Sequence, residues 1–214
     1  RRSMYVSTTG GQNVAVGENS LYANTTGSYN TAVGYSVMIA NTTGDYNVAM
    51  GNEAGEANLD GDSGIFIGRD AGKGGTHSIT GHDNIAIGHQ ALHVDGAGNL
   101  SGGQNIAIGP YTLGKVTSGQ GNVAMGNYAV DATTTGAQNI GLGYKALSAN
   151  TTGNYNVAVG DEALFTPTTA AWNTAVGNDA LYTNSTGEYN TAVGGRALET
   201  NTTQSGMTAV GYRA

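Results

Sequence analysis

The sequence has no cysteine, only two prolines, two phenylalanines and one tryptophan among its 214 residues. Without cysteine the chain has no disulfide bond and no thiolate metal ligand. So few bulky aromatic side chains argue against a single thick hydrophobic core. No apolar run approaches the roughly 18 residues that indicate a membrane-spanning helix. We therefore expect neither a disulfide framework nor a membrane span in this segment.

Basic residues are also scarce, with 8 lysines and arginines against 15 carboxylates and a net charge of −7. Nucleic-acid binding needs clustered basic side chains, so we expect no nucleic-acid partner. The chain has no Gly-x-Ser-x-Gly elbow, no phosphate-binding loop and no His-Glu-x-x-His motif. Its carboxylates fall largely at turn-like positions, where solvated surface charge is the ordinary interpretation. We accordingly expect no enzymatic activity and no cofactor.

Glycine is abundant, with 36 residues, and it marks a repeat. The motif Asn-x-Ala-Val-Gly recurs in nine of eleven intervals at a spacing of about 17 residues, a fixed period that is typical of solenoids and repeat arrays. The other two intervals are longer and adjacent. The motif ends at Gly17, Gly34, Gly51, Gly68, Gly88, Gly109, Gly126, Gly143, Gly160, Gly177, Gly194 and Gly211.

We number one unit from its Asn, which gives Asn at position 1, Ala at 3, Gly at 5, Ala-Leu at 8 and 9, Asn-Thr-Thr-Gly at 12 to 15, and Tyr at 17. Glycine at position 5 never varies. Positions 1, 3 and 5 are therefore the predicted structural positions. Their representatives are Asn30, Ala32, Gly34, Asn47, Gly51, Asn156, Gly160, Asn173, Gly177, Asn190 and Gly194.

The pattern within a unit predicts an all-β fold. The β-branched segment before the glycine at position 5 is typical of a strand that enters a tight turn, and Asn-Thr-Thr-Gly supplies a second turn, whose glycine can take a positive φ. The Ala-Leu segment is predicted to be a second strand or extended run. With no helical spacing, a period of this length indicates a parallel β-solenoid of one unit per coil. Residues 1–214 then form a single array of about 12 coils, in which stacked Asn side chains bond along the axis.

Each predicted strand is apolar on both faces. Position 3 is nearly always Ala, and position 4, which points the other way, is always Val, Ile, Leu or Met. Strands of this kind are buried on both faces. One face fills the narrow interior of the coil, so the other face needs a partner. We therefore expect the chain to associate with copies of itself.

Copies such as "NTAVGNDALYTNSTGEYNTAVG", residues 173–194, resemble the head repeats of YadA-type trimeric autotransporter adhesins and the repeats of phage and bacterial tail-fibre-like proteins. The resemblance extends from Gly10 to Tyr212. It implies a left-handed parallel β-roll packed as a homotrimer, an extracellular, cell-surface or virion location, and attachment to a host-cell or surface receptor such as a glycan. It also implies that this chain is a segment of a longer fibre. The unit is longer than that of most adhesin heads, so the register of the trimer cannot be transferred.

Two enlarged coils, residues 69–88 and 89–109, interrupt the regular array and contain all four histidines. Insertions in a solenoid are forced outward as loops, often on a binding face. We expect these loops to protrude, with partly exposed histidines, and to provide the recognition surface through His77, His82, Asp83, His93 and Asp95. A metal site formed by His77, His82, His89 and His93 is the alternative, although their spacing matches no established ligand pattern.

A second class of function stays open beside the adhesive rod. A solenoid could bind glycans or ice through a repeated array of side chains, and aromatic residues do recur at position 17, in Tyr29, Tyr46, Tyr155, Trp172 and Tyr189. Such a row more often packs on itself. An array binder should keep its face regular through the middle of the chain, and this chain does not. The irregular middle therefore favours the rod with a local recognition site.

Overall fold

In the computed structural model, which describes residues 3–94 and 98–214, the regular elements are twelve short β-strands of three residues each. Each strand is the segment that precedes the glycine at position 5. The strands are β1 Val14–Val16, β2 Thr31–Val33, β3 Val48–Met50, β4 Ile65–Ile67, β5 Ile85–Ile87, β6 Ile106–Ile108, β7 Val123–Met125, β8 Ile140–Leu142, β9 Val157–Val159, β10 Thr174–Val176, β11 Thr191–Val193 and β12 Thr208–Val210.

The strands form one parallel sheet in which each strand pairs with the next one along the chain. Equivalent repeat positions face each other, as Ala32 faces Ala49. The register survives the enlarged coils, because Ile65 pairs with Ile85 and Ile85 with Ile106. The chain is thus a β-solenoid of about 11 turns with about 17 residues per turn. This confirms the predicted all-β parallel solenoid and the length of its coil.

The Ala-Leu segment is not a second strand, so that prediction was wrong. Positions 6 to 10 form a series of turns in which the backbone at positions 7 and 9 is left-handed, with φ of 59° at Asn19 and 49° at Leu21. These turns still bond to the next coil, since the amide of Leu21 donates to the carbonyl of Val37 at 3.0 Å. A narrow coil has to reverse direction within a few residues, and left-handed residues achieve this reversal.

The glycine at position 5 ends each strand, as predicted. Its φ is 139° at Gly34 and 136° at Gly160, a conformation that costs other residues strain. A second constraint comes from the neighbouring coil, because a Cβ on Gly126 would lie 2.5 Å from the carbonyl oxygen of Gly143. Glycine is required here both by conformation and by the close approach of the stacked backbones.

The core is a thin column of small and medium side chains. The middle residue of the strand at position 3 is buried, as at Ala32 and Ala158, and so are the residues at positions 8 and 9, such as Ala163 and Leu164. The Asn side chains at positions 1 and 12 fill the rest of the interior. The residues at positions 2 and 4 point outward and stay partly exposed in the single chain.

Phe66 replaces Ala at position 3 of one coil, and glycines replace three of its neighbours. Gly64 stands in place of Asn at position 1, while Gly55 and Gly72 stand in place of Leu at position 9. A Cβ on Gly64 would lie 2.6 Å from the Phe66 ring, and one on Gly55 would lie 3.0 Å from it. One large side chain therefore occupies the volume that three neighbouring side chains fill in a regular coil.

This exchange of volume is testable by a double-mutant cycle. We expect Phe66→Ala to lower the free energy of unfolding by about 3 to 5 kcal/mol, because it leaves a cavity lined by glycines. Gly72→Leu alone should overpack the core and destabilise by about 1 to 3 kcal/mol. The double variant restores the regular pattern at these two positions, since the aligned Leu92 adopts nearly the same φ. In urea unfolding it should be more stable than either single variant. Simple additivity of the two losses would contradict the exchange.

Candidate functional site

The first ladder of side chains runs through the core at position 1. The backbone amide of Asn156 donates to Oδ1 of Asn139 at 3.0 Å, and the Asn156 side-chain amide donates to the same oxygen at 3.1 Å. The link recurs between Asn139 and Asn122. These side chains are fully buried. The predicted ladder is confirmed, and its hydrogen bonds satisfy polar groups that would otherwise be costly to bury.

A second ladder at position 12 meets the first at the glycine of position 15. The carbonyl oxygen of Gly153 accepts from Nδ2 of Asn139 at 2.8 Å and from Nδ2 of Asn150 at 2.9 Å. Asn13 and Asn24 bond to Gly27 in the same way. The expected positive φ is absent at Gly27. The residue is glycine because a Cβ there would lie 2.5 Å from both Asn24 Oδ1 and the Gly44 carbonyl oxygen.

The sequence has six Asn-x-Ser/Thr glycosylation motifs, and the asparagine of one of them, Asn99, is exposed. The other five motifs lie in the second ladder, and their asparagines are buried. Their amide nitrogens, to which a glycan would be attached, donate hydrogen bonds inside the core. A glycan at any of them is incompatible with the stacked coil, so the motif serves the turn. The five residues are Asn24, Asn41, Asn150, Asn184 and Asn201.

Position 16, which the repeat pattern treats as variable, has a structural role that sequence reasoning missed. Where the aligned residue of the next coil is Ser, Asp, Asn or His, the backbone amide at position 16 donates to its side chain. The amide of Asp45 donates to Oδ1 of Asp62 at 2.7 Å, and the amide of Asp62 donates to Nδ1 of His82 at 3.1 Å. The signal in the sequence was the preference for short polar residues here, including Ser28 and Asn154.

The four histidines do not converge on one point. His82 lies at position 16 and is exposed, while His89 and His93 lie at positions 6 and 10 and are partly exposed. The predicted exposure is therefore confirmed for them and for His77. Asp83 is exposed at position 17, and Asp95 lies outside the described residues. Within residues 3–94 and 98–214, no group of three or more His, Asp or Glu side chains is arranged to hold a metal ion.

The first enlarged coil protrudes at residues 75–77. Gly75 and Thr76 are exposed, and the amide of His77 donates to the carbonyl of Gly74 at 2.8 Å to close the loop. Glu56 of the preceding coil holds the base of the loop, because its Oε2 accepts from the amide of Gly75 at 3.2 Å. The loop is thus anchored on one side and open to solvent at its tip.

The enlarged coil interrupts the second ladder. Asn58 is 1% exposed and its Nδ2 donates to Oδ1 of Asn41 at 3.2 Å, but its own Oδ1 has no hydrogen-bond partner in the described structure. The next coil supplies no asparagine to continue the ladder. A buried acceptor without a partner is destabilising. Buried Ile79 faces Asn58 in the next coil, so the ladder ends here with one unpaired acceptor.

Charged groups cluster beside the same coil. Lys73 forms ion pairs with Glu53 and with Asp70, the latter at 3.3 Å. The hydrogen bond to Glu53, followed by that to Asp70, raises the pKa of Lys73. Nη2 of Arg69 lies 2.5 Å from Nε2 of His89. These pairs are partly exposed, so their contribution to stability is small, but they give the enlarged coils a polar edge.

The aromatic side chains at position 17 stack on one another. The rings of Tyr29 and Tyr46 lie 4.8 Å apart and nearly parallel, and Trp172 lies 4.1 Å from Tyr155. Ring faces that are used within the stack cannot also stack on a ligand. The prediction that this row packs on itself is confirmed. Only the outer ring face at each end of a stack stays open to a ligand, so the row offers no continuous array of ring faces for a repeated ligand.

Comparison with known proteins adds no identity to this geometry. A scan against protein-family models and searches of curated proteins and of solved structures found no match. The part of the chain that the structure describes contains no helix able to cross a membrane. The surfaces of the chain itself are therefore the features that bear on its function.

We expect removal of one rung of the first ladder to destabilise the protein. Asn139→Ala takes the acceptor from the backbone amide of Asn156 and one donor from the carbonyl of Gly153. The expected loss is about 2 to 3 kcal/mol, because buried polar groups lose their partners. The matched control is Asn178→Ala, an exposed asparagine, with an expected effect below about 0.5 kcal/mol. Equal losses in chemical denaturation would show that the ladder contributes nothing beyond an ordinary surface contact.

Proposed function

We propose that this chain is a rigid, self-associating rod that acts extracellularly, at a cell surface or on a virion, as a structural and adhesive segment. The observation that supports the proposal is the outward-facing surface of the sheet. We define the outer face as the first and third residues of the twelve strands, at repeat positions 2 and 4.

The outer face is apolar along its whole length. Every member is Val, Ile, Leu or Met except for four threonines, and none is charged. Val16 remains 55% exposed and Met50 50% exposed. Twelve strands spaced about 4.8 Å apart extend this face over about 50 Å. Contiguous apolar surface of this size on one side of a molecule is typical of an interaction site.

A second copy of the same chain is the natural occupant of this face. The face is long, straight and periodic, and a partner with the same period can match it strand by strand. Parallel copies around a common axis would bury their outer faces together, as in the homotrimer of left-handed β-rolls that the resemblance to adhesin heads implies. Burial of each exposed Val or Ile side chain contributes about 1.5 to 3 kcal/mol, so even partial burial over twelve strands favours association.

The regular coils at the two ends suit a shaft, and the enlarged middle coils suit contact with a host-cell or surface receptor such as a glycan. The exposed tip at Gly75 and Thr76 supports this division, because it contributes nothing to the stacked core. The alternative, an array that binds glycans or ice along one face, has less support. The aromatic rings stack on each other. The hydroxyl of Thr25 is already used between coils, since it donates to the Thr42 carbonyl at 3.0 Å.

Self-association is the first test. Sedimentation velocity at about 10 μM, a concentration at which typical specific interfaces are populated, should show a single oligomer, expected to be a trimer. Ile87→Lys with Ile108→Lys places two charges on the outer face and should yield a folded monomer. Ser101→Lys with Ser118→Lys adds the same charge at sites off this face and should remain oligomeric. A wild-type chain that sediments as a monomer would overturn the proposal, and a dimer would correct its stoichiometry.

The recognition role has a separate test. Deletion of residues 75–77 returns the first enlarged coil to the length of a regular coil and should leave the circular dichroism and the oligomer unchanged. We expect it to reduce binding to a printed glycan array and to cultured host cells, measured by fluorescence. Thr76→Ser with His77→Ser keeps the loop length and so separates length from side-chain contacts. Undiminished binding after the deletion would show that this loop is not a contact surface.

A further inference from the structure

A cleft of about 210 Å³ opens between positions 7 and 10 on the coils that follow the first insertion. It spans three successive coils and lies away from the outer face. Its lining residues are Gln90, His93, Tyr111, Gly114, Lys115, Tyr128 and Asp131. Apart from Gly114, these side chains are polar, charged or aromatic.

The cleft exists because position 10 is glycine in this one coil. Elsewhere position 10 holds larger side chains, such as Phe165 and Tyr182, whose rings stack 5.1 Å apart. At Gly114 the missing side chain leaves room, and a Cβ there would lie 2.7 Å from Oδ1 of Asp131. A single residue type therefore opens a depression in an otherwise filled column.

Asp131 lies in this depression as a partly buried carboxylate. Burial raises its pKa, against the opposing effects of the Lys115 charge and a hydrogen bond from the Gly114 backbone amide. Desolvation of a carboxylate is unfavourable unless it has partners. The carboxylate and the ammonium of Lys115 offset each other in charge, so the cleft attracts neither a cation nor an anion strongly.

The aromatic wall of the cleft is formed by Tyr111 and Tyr128. Their rings stack 4.9 Å apart and nearly parallel, and His89 meets Tyr111 edge-on at 5.1 Å. The stack holds both rings in place without a ligand. Tyrosine combines apolar ring carbons with a hydroxyl that needs a hydrogen-bond partner. This wall therefore suits a ligand that presents both C–H groups and hydroxyl groups.

We propose that this cleft binds one neutral monosaccharide residue of a glycan. Its volume is below the roughly 300 to 1,000 Å³ of sites for drug-sized ligands, which matches a single sugar ring. Each sugar hydroxyl can both donate and accept a hydrogen bond. It can therefore pair with the Asp131 carboxylate, which accepts, with the Lys115 ammonium, which donates, and with the Gln90 carboxamide, which does both. The C–H groups of the sugar would pack against the edges of the two tyrosine rings, because the ring faces are occupied within their own stack. The cleft is formed within one chain at positions other than 2 and 4, so the inference does not depend on the proposed trimer.

Saturation-transfer NMR on the intact chain tests the inference. The probes are free galactose, glucose, mannose, fucose and N-acetylglucosamine at about 10 mM, since single sugars bind weakly, with dissociation constants of about 1 mM. We expect at least one of them to bind, with signals strongest from protons on one face of the ring. Failure of all five to bind the wild-type chain would overturn the proposal. Glucosamine carries a positive charge, so tighter binding of glucosamine than of glucose would contradict the preference for a neutral sugar.

Two variants locate the binding within the cleft. Gly114→Ala should weaken it at least tenfold by displacing the Asp131 carboxylate, and Asp131→Asn should weaken it by removing an acceptor. The controls are Gly195→Ala, where an added Cβ meets only ordinary contacts, and Asp161→Asn, an exposed carboxylate far along the chain. Because Gly114 has no left-handed φ and its nearest contact is the end of a side chain, both cleft variants should keep the wild-type circular dichroism. Unchanged sugar binding in a folded Gly114→Ala protein would place the site elsewhere.

Discussion

In six coils the carbonyl oxygen at position 15 accepts hydrogen bonds from two asparagine amides, and this shared acceptor organises the structure. In the coil of Gly187 these come from Asn173 and Asn184, each at 2.9 Å. The first donor begins the same repeat, 14 residues before the acceptor and nearly one full turn away, and the second donor lies three residues before the acceptor. One acceptor therefore fixes both the stacking and the turn. Both donors are asparagines, and the acceptor is glycine in most of these coils, although Gln204 accepts the same pair of bonds from Asn190 and Asn201. A core organised by amides needs few bulky side chains, which explains a composition with only two phenylalanines.

Sequence reasoning found the features that the repeat itself encodes. The period predicted the solenoid. The asparagine at position 1 predicted the ladder, because stacked asparagines can pair the hydrogen-bond donors of one side chain with the acceptors of the next. It failed at Leu21, whose left-handed backbone leaves no mark in a pattern of apolar residues. It also missed the exchange around Phe66, because the compensating Gly55 and Gly72 lie far from it along the chain and become its neighbours only when the coils stack.

The candidate site divides in the same way. Histidine content and coil length located the irregular middle, and the structure confirms the exposure of its first loop. The cleft at Gly114 was not visible in the sequence, where one more glycine in a glycine-rich chain carries no signal. Its floor is formed by Asp131, which the following coil supplies at the same repeat position. The irregular coils lose members of both ladders, at Gly64 and after Asn58. The repeat pattern is therefore broken in the same part of the chain that contains the exposed loop and the cleft.

The stacking of coils along one axis also determines how a single chain responds to force. Every hydrogen bond between strands runs from one coil to the next, so tension along the axis loads these bonds one coil at a time rather than all together. A terminal coil can peel away while its neighbours remain intact. Each coil that is released lengthens the chain by roughly 50 Å, since extended residues span about 3.3 to 3.6 Å each. A pulled chain would therefore lengthen in equal steps for the regular coils and in a longer step for each of the two enlarged coils.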